Sequence, residues 1–101
     1  MNAMELQVSY QELCEYDEID EAVVLRVVEY NIAAPVTGRD VASWHFRTTD
    51  VSWIHKALRL RRDLDIDWIA VATIIDLLKQ QQSLAEENRR LRQQLRRFFS
   101  E

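Results

Sequence analysis

The sequence predicts a mainly helical protein, in which a small head with a short β wing precedes one long helix of the coiled-coil type. Apolar residues recur in steps of three and four through the C-terminal third of the chain. Capping residues precede the apolar segments, and one glycine and one proline in 101 residues leave little room for long loops. We therefore expect a single domain, with residues 1–65 as the head and residues 66–101 as the stalk.

The head begins with a short apolar segment, residues 6–8, that can pair as a strand. Ser9 and Glu12 have the spacing of a capping box, which predicts a first helix through about Tyr16. Residues 17–20 form a turn, and Asp20 can cap a second helix. The apolar residues of that segment include Ala22, Val23, Val24, Val27 and Val28. Their β-branched content would also suit a strand, so both possibilities remain open.

Asn31 tolerates the left-handed conformation that ends helices, and Pro35 makes continuation of the second helix unfavourable. Residues 36–47 predict a hairpin or wing, with a turn at 37–40 and a return strand at 44–47. A third helix follows, capped by Thr49 or Asp50 and ending near Leu64. Its inward-facing residues are predicted to be Val51, Ile54, Leu58 and, less clearly, Leu60.

Asp67 is the predicted cap of the long fourth helix, whose apolar seam has the spacing of a coiled coil. The seam consists of Ile74, Leu77, Gln81, Leu84, Asn88, Leu91, Leu95 and Phe98. Asn88 falls at an a position, where a buried amide sets register and strand number at a cost in stability. We expect a homodimer whose contact includes Leu84, Asn88, Leu91, Leu95 and Phe98. A parallel coil, an antiparallel coil and a stalk folded back onto its own head all remain open.

Charge is divided unevenly along the chain. Residues 1–50 carry a formal charge of −7, and residues 51–101 carry +3. The segment that would enter a DNA groove, residues 20–30, offers three acids and a single arginine, Arg26. Neutralising phosphate is the dominant affinity term for DNA, so this surface disfavours duplex binding and favours a basic protein partner. The alternative is that these acids only solvate a turn and a helix start.

Residue patterns for catalysis or metal binding are weak. Asp63, Asp65 and Asp67 alternate as at the start of a calcium loop, but Trp68 stands where that loop needs glycine. The two histidines, His45 and His55, lack a partner at metal-ligand spacing. We therefore predict a protein that is not an enzyme and has no cofactor or metal. The lone Cys14 and the lack of a signal-like or membrane-spanning segment favour a cytoplasmic protein.

Two further residue sets have more than one interpretation. Trp44, Trp53 and Trp68 could form a ligand cage, but in a chain this small they are better explained as core and as the junction with the stalk. The stalk arginines could follow nucleic acid or an anionic membrane, but their heptad positions favour a solvated coil face. These arginines are Arg89, Arg90, Arg92, Arg96 and Arg97.

Two short strings resemble the winged helix-turn-helix regulators of the MerR type. These are Val28-Glu29-Tyr30-Asn31-Ile32-Ala33-Ala34-Pro35, like the family's exit from its recognition helix, and Trp44-His45-Phe46 with Asp50-Val51, like its wing and next helix. Across nearly the whole chain the sequence resembles the CbpM family of chaperone modulators. That likeness rests on Leu58-Arg59-Leu60-Arg61, Leu64, Asp67-Trp68, Glu87-Asn88-Arg89-Arg90-Leu91-Arg92 and Leu95-Arg96-Arg97-Phe98.

The resemblance implies a MerR-like winged helix-turn-helix head and a cytoplasmic bacterial protein. It also implies binding to a nucleoid-associated, DnaJ-type (CbpA-like) co-chaperone and inhibition of it. J-domains present a basic helix, so the expected contact residues are Glu15, Asp17, Glu18, Asp20, Glu21 and Val24, with Tyr10 and Tyr16 as further apolar anchors. The alternative functions are a dimeric DNA-binding transcriptional regulator and a plain coiled-coil adaptor.

Overall fold

The computed structural model describes residues 6–99, which form four α-helices and one two-stranded antiparallel sheet. The elements follow in the order β1 (Gln7–Ser9), α1 (Tyr10–Leu13), α2 (Glu21–Glu29), β2 (His45–Arg47), α3 (Thr48–Leu64) and α4 (Trp68–Phe99). A single 3₁₀ turn, Val41–Ser43, precedes β2. The predicted class is confirmed, since a helical head with a small wing leads into one long helix.

Helix α1 starts with the predicted capping box. The Ser9 backbone N–H donates to a Glu12 carboxylate oxygen at 2.9 Å, and the Glu12 N–H donates to the Ser9 hydroxyl oxygen at 3.1 Å. The helix is shorter than expected, because it ends at Leu13 and not near Tyr16. Beyond that point the backbone bonds span three residues, as in the bond from the Tyr16 N–H to the Leu13 carbonyl at 3.1 Å. The chain is therefore already turning toward α2.

Helix α2 resolves the choice between helix and strand in favour of the helix. The Asp20 carboxylate accepts from the Val23 N–H at 3.0 Å, so the predicted cap is present. Val24 and Val27 lie three residues apart on one helical face and are both fully buried. Asn31 has a φ of 64°, as expected for the residue that reverses the chain after a helix.

The wing differs from the predicted hairpin. β2 pairs antiparallel with β1, with Val8 opposite Phe46, and residues 36–37 contribute only a single bridge, Thr37 to His45. The reason lies in residues 38–43, where Gly38 has a φ of 110° and a 3₁₀ turn follows. The 3₁₀ turn occupies residues 41–43, which a longer hairpin with its turn at 37–40 would need to extend its return strand.

Helix α3 begins directly after β2, and its N-cap is Arg47, so the prediction of Thr49 or Asp50 as the cap is wrong. The Asp50 carboxylate instead accepts from the Ala34 N–H at 3.4 Å and ties α3 to the loop after α2. The helix ends at Leu64, as predicted, and Asp65 follows with a φ of 55°. Asp67 caps α4 by accepting from the Ala70 N–H at 2.9 Å.

The core lies between the sheet, α2, α3 and the first turns of α4. Its largest fully buried side chains are Phe46, Leu13, Ile32, Ile54, Ile75, Val24, Val27 and Val71. Val51 and Leu58 are buried as predicted, and Leu60 is partly buried. Trp44 before β2, Trp53 in α3 and Trp68 at the start of α4 each pack against this core, which confirms their assignment to the core and the stalk junction.

The stalk leaves the head after two to three turns of α4. Val71 and Ile75 are buried against the head, whereas every residue from 80 to 99 is exposed. The described stalk therefore does not fold back onto its own head. None of the helices in the described part of the chain is long and apolar enough to cross a membrane.

Candidate functional site

The first candidate site is an acidic surface on the turn between α1 and α2, formed by Glu15, Asp17, Glu18, Asp20 and Glu21. All five side chains are exposed. Ile19 anchors the turn to the core. Its side chain is buried, and its N–H donates to the Tyr16 carbonyl at 3.1 Å. A buried isoleucine among five acids fixes the turn on the core, so the acids point to solvent.

Two of the five acids have partners within the chain. Asp20 caps α2, and Glu18 pairs with Arg62 of α3 at 2.7 Å between carboxylate and guanidinium. Both side chains of this pair are more than half exposed, so the pair adds little stability and a competing cation can replace Arg62. Arg62 also lies 3.4 Å from the neighbouring Asp63.

Tyr10, the first residue of α1, has a perturbed pKa. The pKa of Tyr10 is raised from its ordinary value, mainly by a hydrogen bond with the Cys14 side chain and then by partial desolvation. The negative charges of Glu21 and Asp20 raise that pKa further, because they disfavour the phenolate. Cys14 is half-buried and packs against the core, as a structural cysteine does.

The apolar part of the site differs from the sequence prediction. Val24 has no exposed surface, so the prediction that it contacts a partner is wrong; it supports α2 from within the core. Tyr10 is also partly buried against the core. Tyr16 is 52% exposed, with its ring 4.6 Å from that of His55 in an edge-to-face arrangement. Leu25, which sequence reasoning missed, is 42% exposed.

Leu25 belongs to this surface because it follows Glu21 by four residues on α2, and residues at that spacing share a helical face. The only sequence signal for it was its place in an apolar segment too wide to be buried on every side. The acidic surface thus has an apolar component at Tyr16 and Leu25. Such a combination suits a partner surface that is basic and has exposed apolar side chains.

The outer face of α2 is poorly suited to a DNA groove. Glu21 and Glu29 are exposed there, and the single cation, Arg26, is paired with Glu29 at 3.1 Å. The wing adds the exposed side chains of Arg39 and Arg47. A DNA reader needs an excess of cationic and amide groups on this face, and α2 has an excess of carboxylates.

The second candidate site is the seam of α4, the eight residues of the predicted coiled-coil face. From Leu77 onward the seam is open to solvent: Leu84 is 65% exposed and Phe98 is 75% exposed. Gln81, Asn88, Leu91 and Leu95 lie exposed between them. A stripe of this kind, apolar except at Gln81 and Asn88, marks an interaction surface.

A groove of about 620 Å³ runs between α3 and α4, beside the seam. Its walls include Trp53 and Lys56 from α3 and Leu78 and Ala85 from α4. Next to it, the Lys79 ammonium donates to the Ile32 carbonyl at 2.8 Å and lies 5.6 Å from the centre of the Trp53 ring. Sequence reasoning could not find this link between stalk and head, because its partners are 47 residues apart.

The residues considered for metal binding have structural contacts. Asp65 ends α3, Asp67 caps α4, and no cluster of three potential metal ligands is found among residues 6–99. His45 Nδ1 lies 3.1 Å from the Ser43 carbonyl oxygen in the wing, and His55 contacts Tyr16. These contacts hold the wing and the turn in place.

A winged helix-turn-helix head on a long helix with an open seam defines a regulator of the MerR class, and residues 8–93 match the family described as "MerR HTH family regulatory protein". Within that class the similarity is more specific. The chain is 36% identical over 89 residues to the chaperone modulatory protein CbpM of Salmonella paratyphi B, Salmonella newport and Salmonella heidelberg, covering 88% of this chain and 87% of each relative. The chain therefore belongs to the CbpM family of chaperone modulators.

Proposed function

We propose that this protein binds the J-domain of a DnaJ-type, nucleoid-associated co-chaperone of the CbpA kind and inhibits its co-chaperone activity. The observation that carries the proposal is the exposed acidic surface with Tyr16 and Leu25 beside it. The family relationship supports it, because the relatives are named chaperone modulatory proteins. The proposal places the protein in the bacterial cytoplasm, the compartment of such a partner.

The mechanism is occlusion of the basic J-domain helix that the Hsp70 partner needs. Carboxylates on the turn attract and orient that helix, which raises the association rate more than the affinity. Tyr16 and Leu25 then supply apolar contacts that slow dissociation, because buried aromatic and aliphatic anchors carry most of the energy of small interfaces. We propose that the same occlusion also inhibits the partner's binding to DNA.

The test removes charge from the acidic surface without removing a helix cap. The double variant Asp17→Asn, Glu21→Gln should associate with the isolated J-domain several-fold more slowly at low salt, and the difference should shrink as salt rises. The matched control Asp76→Asn, Glu86→Gln removes two exposed charges of α4, away from the acidic surface, and should associate like the wild type.

Stopped-flow association at two salt concentrations measures the rates, and stimulation of the Hsp70 ATPase measures the inhibition. Circular dichroism verifies that each variant is folded. If the folded double variant associates as fast as the control at low salt, the acidic surface is not the docking face. If the wild type binds no J-domain at micromolar concentration, the proposed function itself is wrong.

The alternative is a DNA-binding regulator, which the MerR family match favours and the charge of α2 opposes. A DNA reader would bind duplex DNA with an affinity that falls steeply between about 50 and 200 mM salt. We expect no measurable duplex binding at either concentration, since the exposed acids of α2 repel phosphate. Fluorescence anisotropy of a labelled duplex decides between the two functions.

We further propose that the protein forms a homodimer through the seam. The contact would include Leu84, Asn88, Leu91, Leu95 and Phe98, all of which are exposed in the single chain. Pairing removes this apolar stripe from water, and a helix of this length is more stable with a packed face than without one.

A further inference from the structure

We propose that a pocket beside the acidic surface takes one lysine or arginine side chain of the partner, in the place that Arg62 occupies in the free protein. This inference rests on the proposed function and adds the site at which the partner's cation is held. The pocket has a volume of about 450 Å³ and lies between Glu18 and the corner where α3 meets α4. It is lined by Glu18, Leu58, Arg61, Arg62, Asp65 and Ile66.

The lining of the pocket matches the two parts of a basic side chain. Leu58 is only 7% exposed and Ile66 packs against the core, so these two residues form an apolar floor. The unbranched stem of a lysine or arginine packs on such a floor while its charged head stays near water. Glu18 and Asp65 supply the carboxylates that the head needs. An anionic group would meet the same two carboxylates and be repelled.

Arg62 already makes the contact that we assign to the partner's cation. Its Nη1 donates to Glu18 Oε2 at 2.7 Å, a bond that joins residues 44 positions apart. Side-chain exposures of 58% for Arg62 and 57% for Glu18 leave the pair in contact with water, so the pair is weak. Arg62 Nε also donates to Asp63 Oδ1 at 3.4 Å. Arg62 thus keeps a carboxylate partner when it leaves Glu18, and the exchange costs little.

The other charged residues of the pocket favour the exchange. Arg61 lies over the Trp68 ring, with its guanidinium carbon 4.8 Å from the ring centre, so an aromatic contact holds this cation. The Asp65 carboxylate has no hydrogen bond or ion pair within residues 6–99. Without Arg62, the pocket therefore has two carboxylates and a single cation that is held by another contact. A cation from the partner restores the balance of charge.

The first experiment compares Arg62→Gln with a matched control, Arg59→Gln, in the full chain. Both changes remove one exposed positive charge of α3, so they alter the long-range attraction of a basic partner alike. Only Arg62→Gln also frees the Glu18 carboxylate. Its dissociation constant for the isolated J-domain should therefore be about two- to five-fold lower than that of the control, the range expected from the loss of a competing surface ion pair. In a Glu18→Gln background the two variants should bind alike.

Equal affinities of Arg62→Gln and Arg59→Gln in chains that keep Glu18 would show that Arg62 does not compete with the partner. Weaker binding by Arg62→Gln than by its control would mean that Arg62 contacts the partner directly. Either result overturns the proposal. Isothermal titration calorimetry measures the dissociation constants, and circular dichroism verifies the fold of each variant.

Asp65→Asn tests the pocket from its other side. Asparagine tolerates the φ of 55° at this position, so the end of α3 is kept. The variant should bind the J-domain about two- to five-fold more weakly than the control Asp76→Asn, which removes one exposed carboxylate of α4. Binding equal to that of the control would overturn the pocket.

Failure of the pocket and failure of the proposed function are separately visible. A wild type that binds the J-domain, with Arg62→Gln and Asp65→Asn each equal to its control, would overturn the pocket alone. A wild type that binds no J-domain at micromolar concentration would overturn the proposed function and the pocket with it.

Discussion

Lys79 is the main polar link between the stalk and the head, and its replacement by methionine tests how that link stabilises the fold. The Lys79 ammonium donates to the Ile32 carbonyl at 2.8 Å and approaches the Asn31 carbonyl at 3.5 Å. Both carbonyls lie in the loop where the chain reverses after α2. Methionine keeps most of the unbranched stem beside Trp53 and removes the charge and the donors.

The size of the effect follows from these contacts. A hydrogen bond from a charged donor contributes about 1.5–3 kcal/mol, and an exposed cation near an aromatic ring contributes about 0.5–1 kcal/mol. Lys79 is partly exposed and water can replace part of the lost bonding. We therefore expect Lys79→Met to lower the free energy of unfolding by about 1.5 kcal/mol. For a domain of this size, that corresponds to a fall in Tm of roughly 6–12 °C.

Urea unfolding followed by tryptophan fluorescence and circular dichroism measures this change. The control is Lys56→Met, which makes the same substitution at an exposed lysine of α3 and should shift the free energy of unfolding by less than about 0.5 kcal/mol. All proteins are compared at one concentration, since the proposed dimerisation would make stability concentration-dependent. If the free energy of unfolding of Lys79→Met lies within about 0.3 kcal/mol of that of the control, the Lys79 contacts do not stabilise the junction of stalk and head.

Two further predictions concern the wing and α1. Gly38→Ala should destabilise the protein by about 1–3 kcal/mol in the same urea assay, because the residue has a φ of 110° and a Cβ there would lie 2.4 Å from the Ser43 carbonyl oxygen. An unchanged midpoint of urea unfolding would contradict the conformation of this turn. The pKa of Glu12 is lowered from its ordinary value of 4.5 by hydrogen bonds from the Ser9 backbone and side chain. The contribution of Glu12 to stability is therefore present above about pH 4.5, and it is lost as the pH falls through the lower pKa that Glu12 has in the folded protein. Glu12→Gln, which keeps a capping amide, should flatten that part of the pH profile of thermal stability, and superimposable profiles would refute the assignment.

Local features of the chain were predictable from the sequence. The capping box of Ser9 and Glu12, the caps Asp20 and Asp67, and the helix-ending Asn31 all formed as predicted. Each depends on residues within about four positions of one another, so the local geometry alone determines it. The acidic turn and the heptad seam were recognisable for the same reason, since spacing places their residues on one surface.

Contacts between distant residues were not predictable. Only the folded head brings β1 next to β2, with Val8 opposite Phe46, and Glu18 next to Arg62, 44 residues away. Nothing in local spacing favours β1 over residues 36–37 as the partner of β2. The predicted hairpin or wing is therefore present only as the single Thr37 to His45 bridge, because many strand pairings are compatible with the same short apolar segments.

The candidate docking face shows most clearly which features depend on local sequence and which depend on the tertiary structure. In α2 the apolar residues cover most of the helix circumference, so periodicity alone cannot say which side faces the core. Packing within the core of the head buries Val24 completely and leaves Leu25 42% exposed. The sequence by itself thus determined where the acidic surface lies along the chain. The tertiary structure decided which apolar side chain accompanies it, because burial depends on the elements that pack around a helix and not on the helix alone.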